Sequence, residues 1–167
     1  HMESRNIALI NYPGAYFKGF TDALLDRGFN LFWVCINHSD ASYLINNMGI
    51  SSENVLDVNA GLKNEITEDE VETLKSSLKD LETEDGPQIY DIILMDRMLR
   101  EKNTNFALGY IDHCYRKMAD FFAKNDISLI SSGRDSALQL TSMLVGRKMQ
   151  IPWVVPTRLR IPRDTYG

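Results

Sequence analysis

Several residues able to bind anions or move protons follow short apolar runs, where parallel sheets commonly present functional groups. Ser131-Ser132-Gly133-Arg134-Asp135 follows Ile127 to Ile130, and Thr157-Arg158-Leu159-Arg160 follows Ile151 to Val155. Guanidinium groups pair bidentately with phosphates and carboxylates, so Arg134, Arg158 and Arg160 suit a small anionic ligand. Arg158 and Arg160 stand at i, i+2 and would point the same way from an extended segment. Arg160 also has a structural alternative, an ion pair with Asp164. His38 comes just after the run Leu31 to Ile36, and Asp96 just after Tyr90 to Met95. Tyr12, Gly14, Tyr16 and Phe17 follow the first run, Asn6 to Asn11. The rings of Tyr12, Tyr16 and Phe17 can stack on a sugar or pack against protein.

The elements that must position these groups are legible in the periodicity. Ile127 to Ile130, then Ala137, Leu140, Thr141, Leu144 and Val145 on one helical face, then Ile151 to Val155, read as a βαβ unit with parallel strands. The polar ends Ser131–Asp135 and Thr157–Arg160 are therefore expected to open onto one crevice at the carboxyl edge. Upstream, Phe17, Phe20, Leu24 and Leu25 start a helix that Gly28 can end, and Ser39 can cap a helix from Asp40 to Met48. Thr67-Glu68-Asp69-Glu70 is a capping box, and the helix it opens has a narrow stripe of Val71, Leu74, Leu78 and Leu81. Val55 to Val58 and Tyr90 to Met95 read as the third and fourth strands, and Phe106 to Lys124 as the longest helix. The expected fold is a three-layer α/β/α sandwich, Rossmann-like, with a mostly parallel sheet of about six strands and five helices.

The 167 residues suffice for one domain with a full core, and 44% hydrophobic with 25% charged residues is ordinary for a soluble protein. His1-Met2 reads as the remnant of an expression tag, which leaves 3–167 as a single Rossmann-like domain. No apolar run reaches the roughly 18 residues of a membrane span, so no transmembrane segment is expected. The net charge of −5 is uneven: Glu65 to Asp85 holds nine acidic residues against Lys75 and Lys79, whereas arginines gather near the C-terminal end. An acidic chain lacks the basic face that general nucleic-acid binding needs. Cys35 and Cys114 lie in apolar settings and read as buried free thiols, and no Cys/His spacing suggests zinc or another metal. The turn after the first run lacks both the three-glycine dinucleotide fingerprint and the lysine-ended P-loop, so no cofactor is expected in this domain.

Three resemblances bear on function. YDIILMD resembles the strand carrying the phosphoacceptor aspartate of receiver domains, but Asn11-Tyr12 stands where those domains hold an acidic pair. SSGRDSA resembles the SGGxDS loop of PP-loop ATP pyrophosphatases, with Arg134 replacing a glycine that lets pyrophosphate approach the backbone. The polar loop and helix start Gly133 to Ala137, the Ile151-Pro152 step and Arg160-Ile161-Pro162 resemble the end of the N-terminal domain of bacterial surface-carbohydrate and capsule biosynthesis proteins with a GT-B glycosyltransferase-like fold. The nonhydrolysing sugar-nucleotide 2-epimerases have a similar segment.

The third resemblance implies an N-terminal, acceptor-side domain of a longer two-domain protein, inactive in isolation. The full-length protein would be a glycosyltransferase. Its nucleotide-sugar donor would lie mainly on a missing C-terminal domain, which becomes a partner together with a sugar or glycan acceptor. The resemblance also implies a cytoplasmic protein, with peripheral placement at the inner membrane face as an option for the full-length chain. Sugar transfer needs a base and a stabiliser for the leaving diphosphate. Asp96, Asp135 and His38 are the candidate bases; Tyr12, Gly14, Tyr16, Ser132, Gly133, Arg134, Arg158 and Arg160 are the candidate substrate-binding residues. The alternatives are a non-catalytic α/β module binding a ligand or partner, and a PP-loop-like ATP-using enzyme.

Overall fold

The computed structural model describes residues 4–12, 14 and 16–156. Arg158 and Arg160 lie outside the described residues. The strands are β1 (Asn6–Ile10), β2 (Asn30–Cys35), β3 (Val55–Asp57), β4 (Leu129–Ser131) and β5 (Trp153–Val154). The helices are α1 (Lys18–Asp26), α2 (His38–Asn46), α3 (Glu68–Lys79), α4 (Ile89–Met95), α5 (Thr104–Lys124) and α6 (Ala137–Met149). Every strand pairing is parallel, and the sheet order is β3-β2-β1-β4-β5.

Period-two alternation in the central strands creates the three layers. Ile7, Leu9, Leu31, Trp33 and Cys35 point to one face and pack with Ala41 and Leu44 of α2 and Leu24 of α1. Ala8, Ile10, Phe32, Val34 and Ile130 point to the other, where α3 to α6 supply Leu78, Ile92, Ile111, Met118, Phe122 and Leu138. Both faces are buried, which is why these strands are apolar throughout. The fold is thus the expected Rossmann-like α/β/α sandwich. No helix among the described residues is long and apolar enough to cross a membrane.

One expected strand is a helix. Tyr90 to Met95 belongs to α4, so the described residues hold five strands and six helices. A short apolar run does not distinguish a buried strand from a buried helix. Here the buried residues are Ile89, Ile92 and Ile93, at i, i+3 and i+4, with Tyr90 and Leu94 outside. The amide of Gln88 donates to the Asp91 carboxylate (3.1 Å) and that of Ile89 to Glu82 (2.9 Å), which fixes the start of α4. A smaller correction concerns α2. Its cap is Asn37, whose side chain accepts from the Asp40 amide, rather than Ser39. The capping box of Thr67 and Glu70 forms as expected, and Gly28, at φ +79°, ends α1 in the left-handed region.

Both cysteines are free and buried. Burial, with the charges of Asp40 and Asp57 adding to it, pushes the Cys35 thiol up to about 12. Burial likewise raises Cys114 to about 12, against a lowering hydrogen bond from Tyr110. Burial also raises the phenol of Tyr110. Each value lies above that of the unfolded chain. The resulting stability is complete below the ordinary thiol value of 9.0 and is lost as pH climbs through about 12. Native protein is therefore expected to leave both thiols unmodified by a thiol reagent near neutral pH and expose two after denaturation. Urea midpoints are expected to fall steadily above about pH 9.

Candidate functional site

The chain winds outward from β1 through β2 to β3, then returns to add β4 and β5 on the other side of β1. The direction of winding reverses between β1 and β4, and open parallel sheets bind ligands at such a reversal, off the carboxyl ends of the strands. Leu9 is level with Ser131 in the register, so the loops leaving β1 and β4 emerge side by side.

Asn11 carries the chain out of β1 at φ +56°, a conformation asparagine tolerates better than most residues. Tyr12 is thereby turned inward, and its hydroxyl shares a 2.6 Å hydrogen bond with Ser131 Oγ across the reversal point. Burial raises the Tyr12 phenol, and the Ser131 bond partly offsets that effect. Phe17 meets Tyr12 edge-on at 4.7 Å, Phe20 stacks on it at 5.9 Å, and Tyr16 meets Phe17 edge-on at 4.9 Å. Tyr16 is 66% exposed and Phe20 37%, so the cluster has a buried root and a solvent-facing rim. Gly14 seats this loop on α2: a Cβ there would lie 2.6 Å from Met48 Sδ and 2.8 Å from Leu44 Cδ2.

The facing loop is tied down from within. Ser132 is fully buried, its amide donating to the Val154 carbonyl (3.0 Å) and its hydroxyl to the Gly133 carbonyl (3.0 Å). Gly133 lies against the side chain of Gln139, with 2.7 Å between a built Cβ and Nε2. Gln139 Oε1 accepts from the Asp135 amide at 2.9 Å. Arg134 is exposed and its guanidinium sits 5.9 Å from the Trp153 ring centroid, a cation–π contact that leaves its donors free for an anion. Asp135 is exposed beside it.

Asp96, expected at a strand end, closes α4 instead and is buried. One carboxylate oxygen accepts from the amides of Met98 (2.8 Å) and Leu99 (3.0 Å), and the other from the Ala137 amide (2.7 Å). A carboxylate so engaged is a positioning group, ill suited to taking a substrate proton. It also fills the N-terminus of α6 with the protein's own negative charge. Ser136 takes the Gln139 amide at 3.3 Å. Within the PP-loop-like SSGRDSA segment, the amides of Ser132, Asp135 and Ala137 are thus engaged internally, the last by a fixed anion. That geometry counts against the ATP-using alternative.

His38 has the arrangement of a proton acceptor. As the first residue of α2 it faces Asp57, the last residue of β3, with Nδ1 3.0 Å from Oδ2. Nε2 lies 3.2 Å from Ser42 Oγ, one helical turn on. The other oxygen of Asp57 is buried and has no hydrogen-bond partner. Such a carboxylate orients the ring and fixes which nitrogen faces away from it. Asp57 and Ser42 were missed in the sequence. Placing His38 before its helix hid its i, i+4 relation to Ser42, while Asp57 stood at a strand end where it was visible.

His113 on α5 bonds the Val58 carbonyl through Nε2 at 2.8 Å and anchors that helix to the sheet edge. It borders a cavity of about 610 Å³ between α3 and α5. There Lys63 is paired with Glu70 at 3.1 Å and Arg116 with Asp112. No group of three or more His, Cys, Asp or Glu among the described residues is placed to hold a metal ion. Comparisons with protein-family models, curated proteins and solved structures find no match.

Asp96→Ala leaves three buried amides without an acceptor. It is expected to lower unfolding stability by about 3 kcal/mol in urea titrations, with Asp96→Asn milder because one oxygen acceptor remains.

Proposed function

We propose that this chain is the acceptor-side, Rossmann-like domain of a GT-B-like glycosyltransferase acting in bacterial surface polysaccharide synthesis. It contributes one wall of the cleft, and placement at the inner face of a membrane belongs to the same proposal. The observation that carries the reading is the winding reversal between β1 and β4, with an aromatic rim on one side and Arg134 on the other. Exposed aromatic edges stack on sugar rings, and a free guanidinium pairs with an acidic sugar or phosphate. Among the three candidate bases, His38 is favoured because Asp57 orients it and Asp96 is committed to backbone amides. His38 would take the acceptor hydroxyl proton while the donor, held mainly by a second domain, departs as its diphosphate. The absence of a nucleotide fingerprint from this chain agrees with that division of labour.

Titration by NMR with neutral and acidic oligosaccharides, nucleotide sugars and ATP tests the proposal. Oligosaccharides are expected to shift resonances around Tyr16, Phe20 and Arg134, with binding weakened about fivefold or more by Tyr16→Ala or Phe20→Ala. Tight ATP binding abolished by Asp135→Ala would instead install the ATP-using reading. Saccharide binding elsewhere, undiminished by these changes, would overturn the crevice.

A further inference from the structure

Four of the nine exposed large hydrophobic side chains among the described residues fall between Tyr90 and Met98. α4 buries Ile89, Ile92 and Ile93, but its outer face carries Tyr90 and Leu94, where a surface helix ordinarily turns polar residues to water. Leu94 is 66% exposed, Met95 57% and Met98 72%. The chain then folds tightly around Asp96, through the 3-10 turn Leu99–Glu101, and this holds Met98 out beside the end of α4. Arg97, Arg100 and Lys102 interleave with these apolar residues and are exposed. None of the three forms an ion pair among the described residues. The one acidic side chain of α4, Asp91, is at its far end and accepts from the Gln88 amide, and Glu82, which precedes the helix, accepts from the Ile89 amide. Two carboxylates lie along this segment: Asp96, buried and bonded to backbone amides, and Glu101, which is exposed.

We infer that Leu94, Met95 and Met98, ringed by Arg97, Arg100 and Lys102, dock this domain on an anionic lipid bilayer. Exposed leucine and methionine side chains flanked by unpaired cations match an interface with acyl chains below and anionic headgroups around them. A second copy of the chain fits less well. A two-fold contact through this patch would set Arg97 and Arg100 against their own symmetry mates. The net charge of −5 repels the rest of the molecule from an anionic surface, so the local basic group also sets the orientation of approach. Asp96 bonds the start of α6, which follows the β4 loop, so the patch stands at the same rim of the sheet as the crevice. The inference deepens the membrane-face part of the proposed function by naming its surface; the crevice takes no part in it.

Co-sedimentation of the chain with vesicles tests it, with no sugar present, so failure here leaves the crevice titration unaffected. Wild type is expected to pellet with phosphatidylcholine vesicles containing phosphatidylglycerol, to remain in solution with phosphatidylcholine alone, and to be released by salt. Leu94→Asp with Met98→Asp is expected to abolish pelleting, and Arg97→Glu with Arg100→Glu to weaken it about tenfold or more. Circular dichroism checks that each variant is folded; should the Asp pair not fold, the Glu pair decides. Wild type remaining in solution with the anionic vesicles would overturn the inference, as would pelleting that survives the substitutions. A wild-type dimer in sedimentation velocity, converted to monomer by the same variants and without vesicle binding, would assign the patch to a second copy and overturn it too.

Discussion

The Asp96 carboxylate joins parts of the chain that are otherwise far apart. Its two oxygens collect amides from the turn that follows α4 and from the first residue of α6, forty-one positions later. Buried charge is tolerated only when several donors surround it, and three backbone N–H groups at helical starts supply both hydrogen bonds and favourable dipoles. From this one group hang the loop after β4, the helix behind it, and the apolar segment from Leu94 to Met98. The same contact closes the N-terminus of α6 to an outside anion. A feature that in isolation suggests phosphate binding thus serves here to lock two elements together.

The carboxyl edge of the sheet divides into regions of different character. At the winding reversal, Tyr12 and Ser131 bridge the two loops, and the aromatic side chains fan from a buried ring to an exposed one. On the β2–β3 side, His38 is held by the half-buried carboxylate of Asp57. The loop after β1 connects the two, since Gly14 seats it on α2, the helix that His38 begins. Rigid strands and a packed helix fix these groups, which is what positioning chemistry requires. His38 and the aromatic cluster are therefore carried by one continuous support.

Much of this framework was legible in local pattern. The apolar runs at β1 and β2, the capping box at Thr67, the left-handed glycine after α1 and the long stripe of α5 each follow from rules that act over a few residues. The segment Tyr90 to Met95 was not, because six consecutive residues rich in Ile, Leu and Met satisfy a buried strand and a buried helix alike. Its helical state rests on the Asp91 and Glu82 carboxylates meeting the first amides of α4, and on Ile89, Ile92 and Ile93 finding the core together. Asp96 consequently moved from a strand end to a helix end, which changed it from a candidate base to a positioning group.

The sequence by itself determined the layer architecture, the parallel character of the sheet and the burial of both cysteines, since period and composition express burial directly. Only the tertiary structure decided which polar residues are committed and which are free. Asp96 with Ala137, Tyr12 with Ser131 and His38 with Asp57 pair across 41, 119 and 19 positions. Those partners are chosen by strand order and helix docking, long-range contacts that leave no trace in local spacing.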